Sequence, residues 1–219
     1  MFEAAIFDWD GTLADTKKVI VTSFQRALNE INCNPENKLI ERLIGIGSAQ
    51  TFKEILKSKK VVFDEELIEF LVKNKVKNSI ALSREVELFK GSKELLRILE
   101  KKLKLGLASM NKREFIDLML KKFRLANHFE AIVTADEVIK VKPDPEIFLK
   151  CAKMMHIKPE KCVVIEDSIF GIRAAKTGGM SCIAVLTGVY DSSEIIPESP
   201  DLMVNSLMEK QKILNFLFS

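Results

Sequence analysis

Histidine is nearly missing from this chain: His128 and His156 are the only two among 219 residues. Four cysteines, Cys33, Cys151, Cys162 and Cys182, show no C-x-x-C spacing and have no histidine at ligand distance. A zinc centre is therefore not expected, and the cysteines read as reduced thiols of a cytoplasmic protein. No apolar run approaches the roughly 18 to 20 residues that span a bilayer, so no membrane partner is expected. The N-terminus lacks a basic region and reaches Asp8 too soon for a secretory signal. Charge of one sign is also scarce. The formal net charge is +3 and the lysines are scattered, with one cluster, Lys57-Ser58-Lys59-Lys60, that reads as a helix end. Nucleic acid is not an expected partner. There is no internal repeat, low-complexity segment or Gly/Ser-rich linker.

What the chain does have is a hydrophobic content of 47%, enough for a sizeable core. Its first apolar run, Ala5-Ile6-Phe7, stops at Asp8-Trp9-Asp10-Gly11-Thr12-Leu13. This reads as a buried strand with two acids at its carboxyl end, the edge at which open parallel sheets bind ligands. The next seventy or so residues are helical in pattern. One helix is marked by Val19 to Ile31, a second by Leu39 to Ile44 before Gly45-Ile46-Gly47, and a third runs from about Ser48 through Leu56. A fourth starts near Asp64, with Leu67, Phe70, Leu71, Val76 and Ile80 as its apolar face. From Gly91 the pattern alternates. Helices are predicted over 92–103, 113–123, 145–155, 170–177 and 207–218, and strands over 105–108, 131–134, 163–165, 183–186 and 202–204. The expected fold is α/β: a Rossmann-like parallel sheet with helices on both faces, residues 1–14 and 84–219, and an inserted all-helical cap, residues 15–83.

Four clusters fall at carboxyl ends of predicted strands: Asp8 and Asp10; Ser109 with Asn111 beyond it; Lys142 before Pro143-Asp144-Pro145; and Glu166-Asp167. A carboxylate can attack phosphorus, and a second can protonate the leaving oxygen and later take a proton from water. Residues two apart in an extended segment point the same way, so Asp8 and Asp10 can serve one group. Several carboxylates facing an anionic phosphoryl group repel by about 4 kcal/mol per close pair at an effective dielectric near 20. Lys142 and a Mg²⁺ ion would offset this, and Mg²⁺ prefers hard oxygen ligands such as Asp8 and Asp167. Ser109 can donate a hydrogen bond to a phosphoryl oxygen, and Gly11 lets backbone amides approach it. Asn111 reads equally as a helix cap or a phosphoryl contact. Asp15 and Thr16 read as caps of the first cap helix, and Asp144 as a cap of the helix after it.

In this order, Asp8-x-Asp10-Gly11-Thr12, Ser109, Lys142-Pro143-x-Pro145 and Glu166-Asp167-Ser168 with Gly171-Ile172-x-Ala174-Ala175, the chain resembles the haloacid dehalogenase superfamily over nearly its whole length. The similarity is greatest to the branch of phosphoglycolate phosphatases and β-phosphoglucomutases, which carry a helical cap at this place. The resemblance implies Asp8 as nucleophile and Asp10 as general acid/base, with the Asp10 backbone carbonyl on Mg²⁺. It implies Ser109 and Lys142 as phosphoryl ligands, Lys142 also orienting Asp8. Asp167 would bind Mg²⁺ directly, and Glu166 directly or through water.

The metal-free dehalogenases lack an acid at the Asp10 position. The mutases carry a histidine where Ile20 stands and an arginine where Ser48 stands, beside Gly47, Ala49 and Gln50. That arginine holds a second phosphate. Its absence favours transfer to water: a Mg²⁺-dependent phosphatase acting on a small phosphorylated metabolite. A mutase-like phosphotransferase and a non-catalytic phosphate-binding module are the alternatives. Specificity is expected from the cap, around Gly47, Ser48 and Gln50.

Overall fold

The computed structural model describes residues 1–219. The chain opens with β1 (Ala4–Phe7) and a two-residue strand β2 (Ala14–Asp15). It passes through α1 (Lys17–Asn29), α2 (Asn37–Glu41), α3 (Ser48–Ser58) and α4 (Glu65–Ala81), and returns through β3 (Glu87–Leu88). It then alternates: α5 (Ser92–Leu99), β4 (Lys104–Ser109), α6 (Arg113–Phe123), β5 (Ala131–Thr134), α7 (Glu146–Met154), β6 (Cys162–Glu166), α8 (Ile169–Thr177) and β7 (Ser181–Val185). A short α9 (Ser192–Ile195), β8 (Leu202–Val204) and α10 (Lys210–Phe218) complete it.

Six strands form one parallel sheet in the order β5-β4-β1-β6-β7-β8. β1 lies inside it, with Ile6 opposite Gly106 of β4 and Val164 of β6. Its side chains alternate between two cores. Ala5 and Phe7 pack with Leu96, Leu107 and Ile116, while Ala4 and Ile6 pack with Phe148, Val164 and Ile172. Helices therefore cover both faces, as a continuous apolar strand requires. The path across the sheet reverses at β1, which makes the carboxyl end of β1 the ligand-binding crevice of such a sheet.

The helical block between β1 and α5 has its own core, in which Phe24 and Phe52 stack at 4.7 Å among Ile55, Leu56 and Leu71. Its two crossings to the sheet run side by side as an antiparallel pair, Ala14 opposite Leu88 and Asp15 opposite Glu87. Lys122 of α6 grips the return crossing by donating to the carbonyls of Ser83, Arg84 and Val86. On the far side Arg42 forms a two-point ion pair with Glu194, and its guanidinium stacks over Tyr190, whose hydroxyl donates to the Arg42 carbonyl.

Several boundaries differ from the sequence reading. The second helix stops at Glu41 rather than Ile44. Leu43 and Ile44 tighten into i→i−3 bonds, because Gly45 and Gly47 take φ of 108° and 86° and turn the chain. The helix expected over 92–103 ends at Leu99, since Lys104 already belongs to β4. The last helix begins at Lys210, not Leu207. Phe70, read as an inward residue, is 46% exposed. The buried line of α4 is Ile68, Leu71, Lys75 and Ser79; of the predicted face Leu71 lies on it, and Leu67, Val76 and Ile80 flank it half-buried.

Candidate active site

Asp8 follows β1, Ser109 ends β4, Glu166 ends β6, and Lys142 arrives on the segment between β5 and α7. The side chains of Asp8, Lys142 and Glu166 meet at one point, while Ser109 Oγ faces Asn111. Lys142 Nζ donates to Asp8 Oδ1 and to Glu166 Oε1, both at 2.6 Å, and is itself 1% exposed. The other Glu166 oxygen accepts from the Asp167 and Ser168 amides and from the Ser168 hydroxyl. Asp167 Oδ1 accepts from the Thr12 hydroxyl at 3.1 Å. Asp8, Glu166 and Asp167 are buried, with one carboxylate oxygen from each lying within 4.8 Å of the others.

Glycines make room for these acids. A Cβ on Gly11 or Gly188 would sit 2.1 or 2.0 Å from Asp167 Oδ2, and one on Gly171 would sit 1.9 Å from Glu166 Oε1. Gly11 also takes φ of 73°. Its own amide donates to the Ala14 carbonyl. Gly11 serves the site through its shape.

Asp10 belongs to a second network. Its Oδ1 accepts from the Thr16 hydroxyl at 2.7 Å and its Oδ2 from the Asn111 side-chain amide. Asn111 Oδ1 accepts from Lys75 Nζ at 3.1 Å, and the Asn111 backbone amide donates to Ser109 Oγ at 3.3 Å. Asn111 is therefore not a helix cap. The first amide of α6 donates to Asp136 instead. Thr16 does stand at the start of α1, but makes no capping bond there. Asp144 accepts from the Glu146 amide, as a cap would.

Burial pushes the Asp8 carboxyl up to about 8 against the pull of Lys142, and the charges of Glu166 and Asp10 push the same way. Burial likewise raises Asp10, opposed by the Thr16 hydrogen bond and the Lys75 charge. Asp167 stands well above the ordinary carboxylate range through burial and the charges of Glu166 and Asp8. Burial alone would lower Lys142, yet the Asp8 and Glu166 charges outweigh it and hold it raised. Lys75 has no such carboxylate contacts, and burial pulls it down to about 8. Four buried carboxylates thus share one directly bonded cation, a charge balance that a divalent cation would correct.

Of the cap residues, Gly47 and Ser48 border a small cavity beside Asp10, together with Ile20, Lys75 and Asn111. Gln50 does not reach it. Two residues further along α3, it bonds to Glu54 and faces the side of Lys140 and Pro143. The sequence reading missed Lys75 and Thr16. The available signal was the spacing of Lys75, which continues the Ile68–Leu71 line at helical intervals.

A family model described as haloacid dehalogenase-like hydrolase matches residues 5–185. The chain belongs to this family. Among its relatives, this haloacid dehalogenase-like chain is 29% identical to a phosphorylated carbohydrates phosphatase of Thermotoga maritima, over 98% of both chains. It is 27% identical to a beta-phosphoglucomutase of Bacillus subtilis, over 95% of both. A crystal structure of a hydrolase from Pseudomonas syringae superposes with a TM-score of 0.89 at 27% identity, covering 99% of this chain and 100% of that one. The homologues thus include both phosphatases and mutases, and the family supports a hydrolase role. No helix is long and apolar enough to cross a membrane.

Proposed function

We propose that this chain is a phosphatase that hydrolyses a small phosphomonoester through an aspartyl-phosphate on Asp8. One observation carries the reading: two carboxylates two residues apart sit in different networks, Asp8 against Lys142 and Asp10 against Thr16 and Asn111. Such a separation suits one acid to attack and the other to move protons. An Asp8 oxygen attacks phosphorus while the bond to the leaving oxygen breaks. Asp10, whose carboxyl burial keeps above its ordinary value, gives its proton to that oxygen. Asp10 then takes a proton from water, whose oxygen attacks the same phosphorus, frees Asp8 and releases inorganic phosphate. Lys142 holds Asp8 in place, and Ser109 offers its hydroxyl proton to a phosphoryl oxygen.

The acid cluster fits Mg²⁺, whose ligands are hard oxygens. Asp8, Asp167 and the Asp10 backbone carbonyl would hold it. Glu166, whose oxygens already accept from Lys142, two amides and a hydroxyl, would act through water. When bound, the ion supplies positive charge against the phosphoryl oxygens and the carboxylates. The block 15–83 acts as the lid that excludes water between the two steps.

Mutase-like transfer is the weaker reading, since Ile20 and Ser48 stand where the mutases carry histidine and arginine. The test is hydrolysis of p-nitrophenyl phosphate and of a panel of phosphometabolites, with Mg²⁺ and with chelator. Mg²⁺-dependent phosphate release that disappears in Asp8→Asn is expected. Absence of any Mg²⁺-dependent turnover would overturn the proposal.

A further inference from the structure

The space beside Asp10 is divided. The inner cavity, bordered by Asp10, Lys75 and Asn111, has a volume of about 20 Å³, room for about one water. Outside it lies a cleft of about 1110 Å³ between α4 and the core, with Ile68, Val72 and Val76 on one wall and Val138 and Ile139 on the other. Met110, Gly47 and Ser48 border both spaces. Met110 follows Ser109 directly, is buried, and closes on the cap. Its Cε lies 2.9 Å from where a Cβ on Gly47 would stand, and Val141 Cγ1 lies 3.5 Å from the same point. Glycine at position 47 is what allows this approach.

We infer that Met110 is the specificity-determining partition of the site: its side chain, seated against Gly47, limits the leaving group to compact phosphomonoesters and keeps bulky ones out of the closed cap. This rests on the phosphatase reading above. The general acid must face the leaving oxygen, so that oxygen lies in the small space beside Asp10 and the rest of the leaving group must pass Met110. Met110 borders both that space and the cleft, with its methyl end against Gly47. Shortening its side chain would join the two. A thioether with three rotatable bonds fills such a gap without polar demands, and a hydrophobic wall discriminates by roughly ten- to two-hundredfold per methylene.

The test compares wild type with Met110→Leu, Met110→Val and Met110→Ala. It measures kcat/KM for p-nitrophenyl phosphate against a two-carbon ester, phosphoglycolate. In Met110→Ala the aryl-over-small ratio should rise about tenfold or more, with a smaller rise in Met110→Val and little change in Met110→Leu. Met110→Val keeps the test available if Met110→Ala does not fold. A second measurement needs no turnover: binding of phenylphosphonate against methylphosphonate should shift in favour of the aryl ligand by a similar factor. If the esters are hydrolysed but neither ratio moves in a folded variant, Met110 is not the partition and the phosphatase reading stands. If no ester is hydrolysed but the phosphonate preference shifts, the partition stands and the phosphatase reading falls.

Discussion

Two lysines are buried in this molecule, and they live in opposite surroundings. Lys142, on the core, is 2.6 Å from two carboxylates. Lys75, on the cap, donates to the amide oxygen of Asn111 and lies over the Phe24 ring, with no carboxylate in contact. Burial acts on both in the same direction, but Lys142 ends above its ordinary value and Lys75 falls to about 8. A buried charge is tolerable when opposite charge surrounds it and costly when it does not. The core lysine is therefore a fixed part of the site's charge balance. The cap lysine is a charge that the helical block brings up to Asp10 through Asn111.

The sharpest way to break this contrast is to remove each ammonium while keeping the length of the side chain. Lys142→Met leaves Asp8 and Glu166 facing each other without their cation. It should cost roughly 3–5 kcal/mol of stability and abolish phosphate release, read by denaturant unfolding and a phosphate assay. A Lys142→Met variant as stable as the wild type would refute the charge argument. Asp10→Asn should lower turnover by about 10²- to 10⁴-fold, the usual share of general acid/base catalysis, while single-turnover phosphorylation of Asp8 by an activated aryl ester with a good leaving group suffers less. Lys75→Met should cost about tenfold to a hundredfold in turnover, as a modulator of the acid/base group. Its stability should change by only about 1 kcal/mol, because lost contact with Asn111 and relieved burial of charge oppose each other. A stability loss as large as that of Lys142→Met would erase the distinction.

The pH dependence sharpens the same contrast. Asp8 carries a folded value of about 8 against an ordinary 3.8. Between these values the folded protein keeps a proton that the unfolded chain gives up, so this group's stabilisation is lost as pH rises. Without divalent cations the melting temperature should fall from pH 5 to pH 8, and Asp8→Asn should flatten that slope. Mg²⁺ should raise the melting temperature more at pH 8 than at pH 5. Lys75, lowered to about 8 from 10.5, acts in the next window with the opposite sign: its cost is present below pH 8 and relieved towards 10.5. A melting temperature that rises from pH 5 to pH 8 in chelator would contradict the Asp8 assignment.

The same contrast explains what could be read in advance. Lys142 was legible because it comes with Pro143 and Pro145 after a strand, in a recognisable order with Asp8 and Glu166-Asp167. β5, β8 and α6 were legible to the residue, since apolar runs and helical spacing end there at clear turn residues. Lys75 was hidden because a lysine on a helix ordinarily points to water, and the α4 face was drawn through apolar residues alone. Thr16 was hidden because a threonine before a helix fits a cap as well as it fits a bond to Asp10. β2 and β3 are two residues each, too short to carry any periodicity. Gly45 and Gly47 signalled a turn, but not that it would shorten α2 by three residues.

The position of β1 also governs when this protein becomes competent during its synthesis. β1 leaves the ribosome well before its two neighbours, which begin at Lys104 and Cys162, with Ala4 opposite both. Until the later of them has been made, one edge of β1 has no partner, and Asp8 has neither Glu166 nor Asp167 beside it. Closing such long loops is slow compared with forming local helices, and unpaired strand edges in partial chains are prone to aggregate. The helices that follow β1 can gather around Phe24 and Phe52 long before then. Asp8 is thus made long before the strands that frame it, so a chain truncated before Cys162 would carry this carboxylate on an open edge.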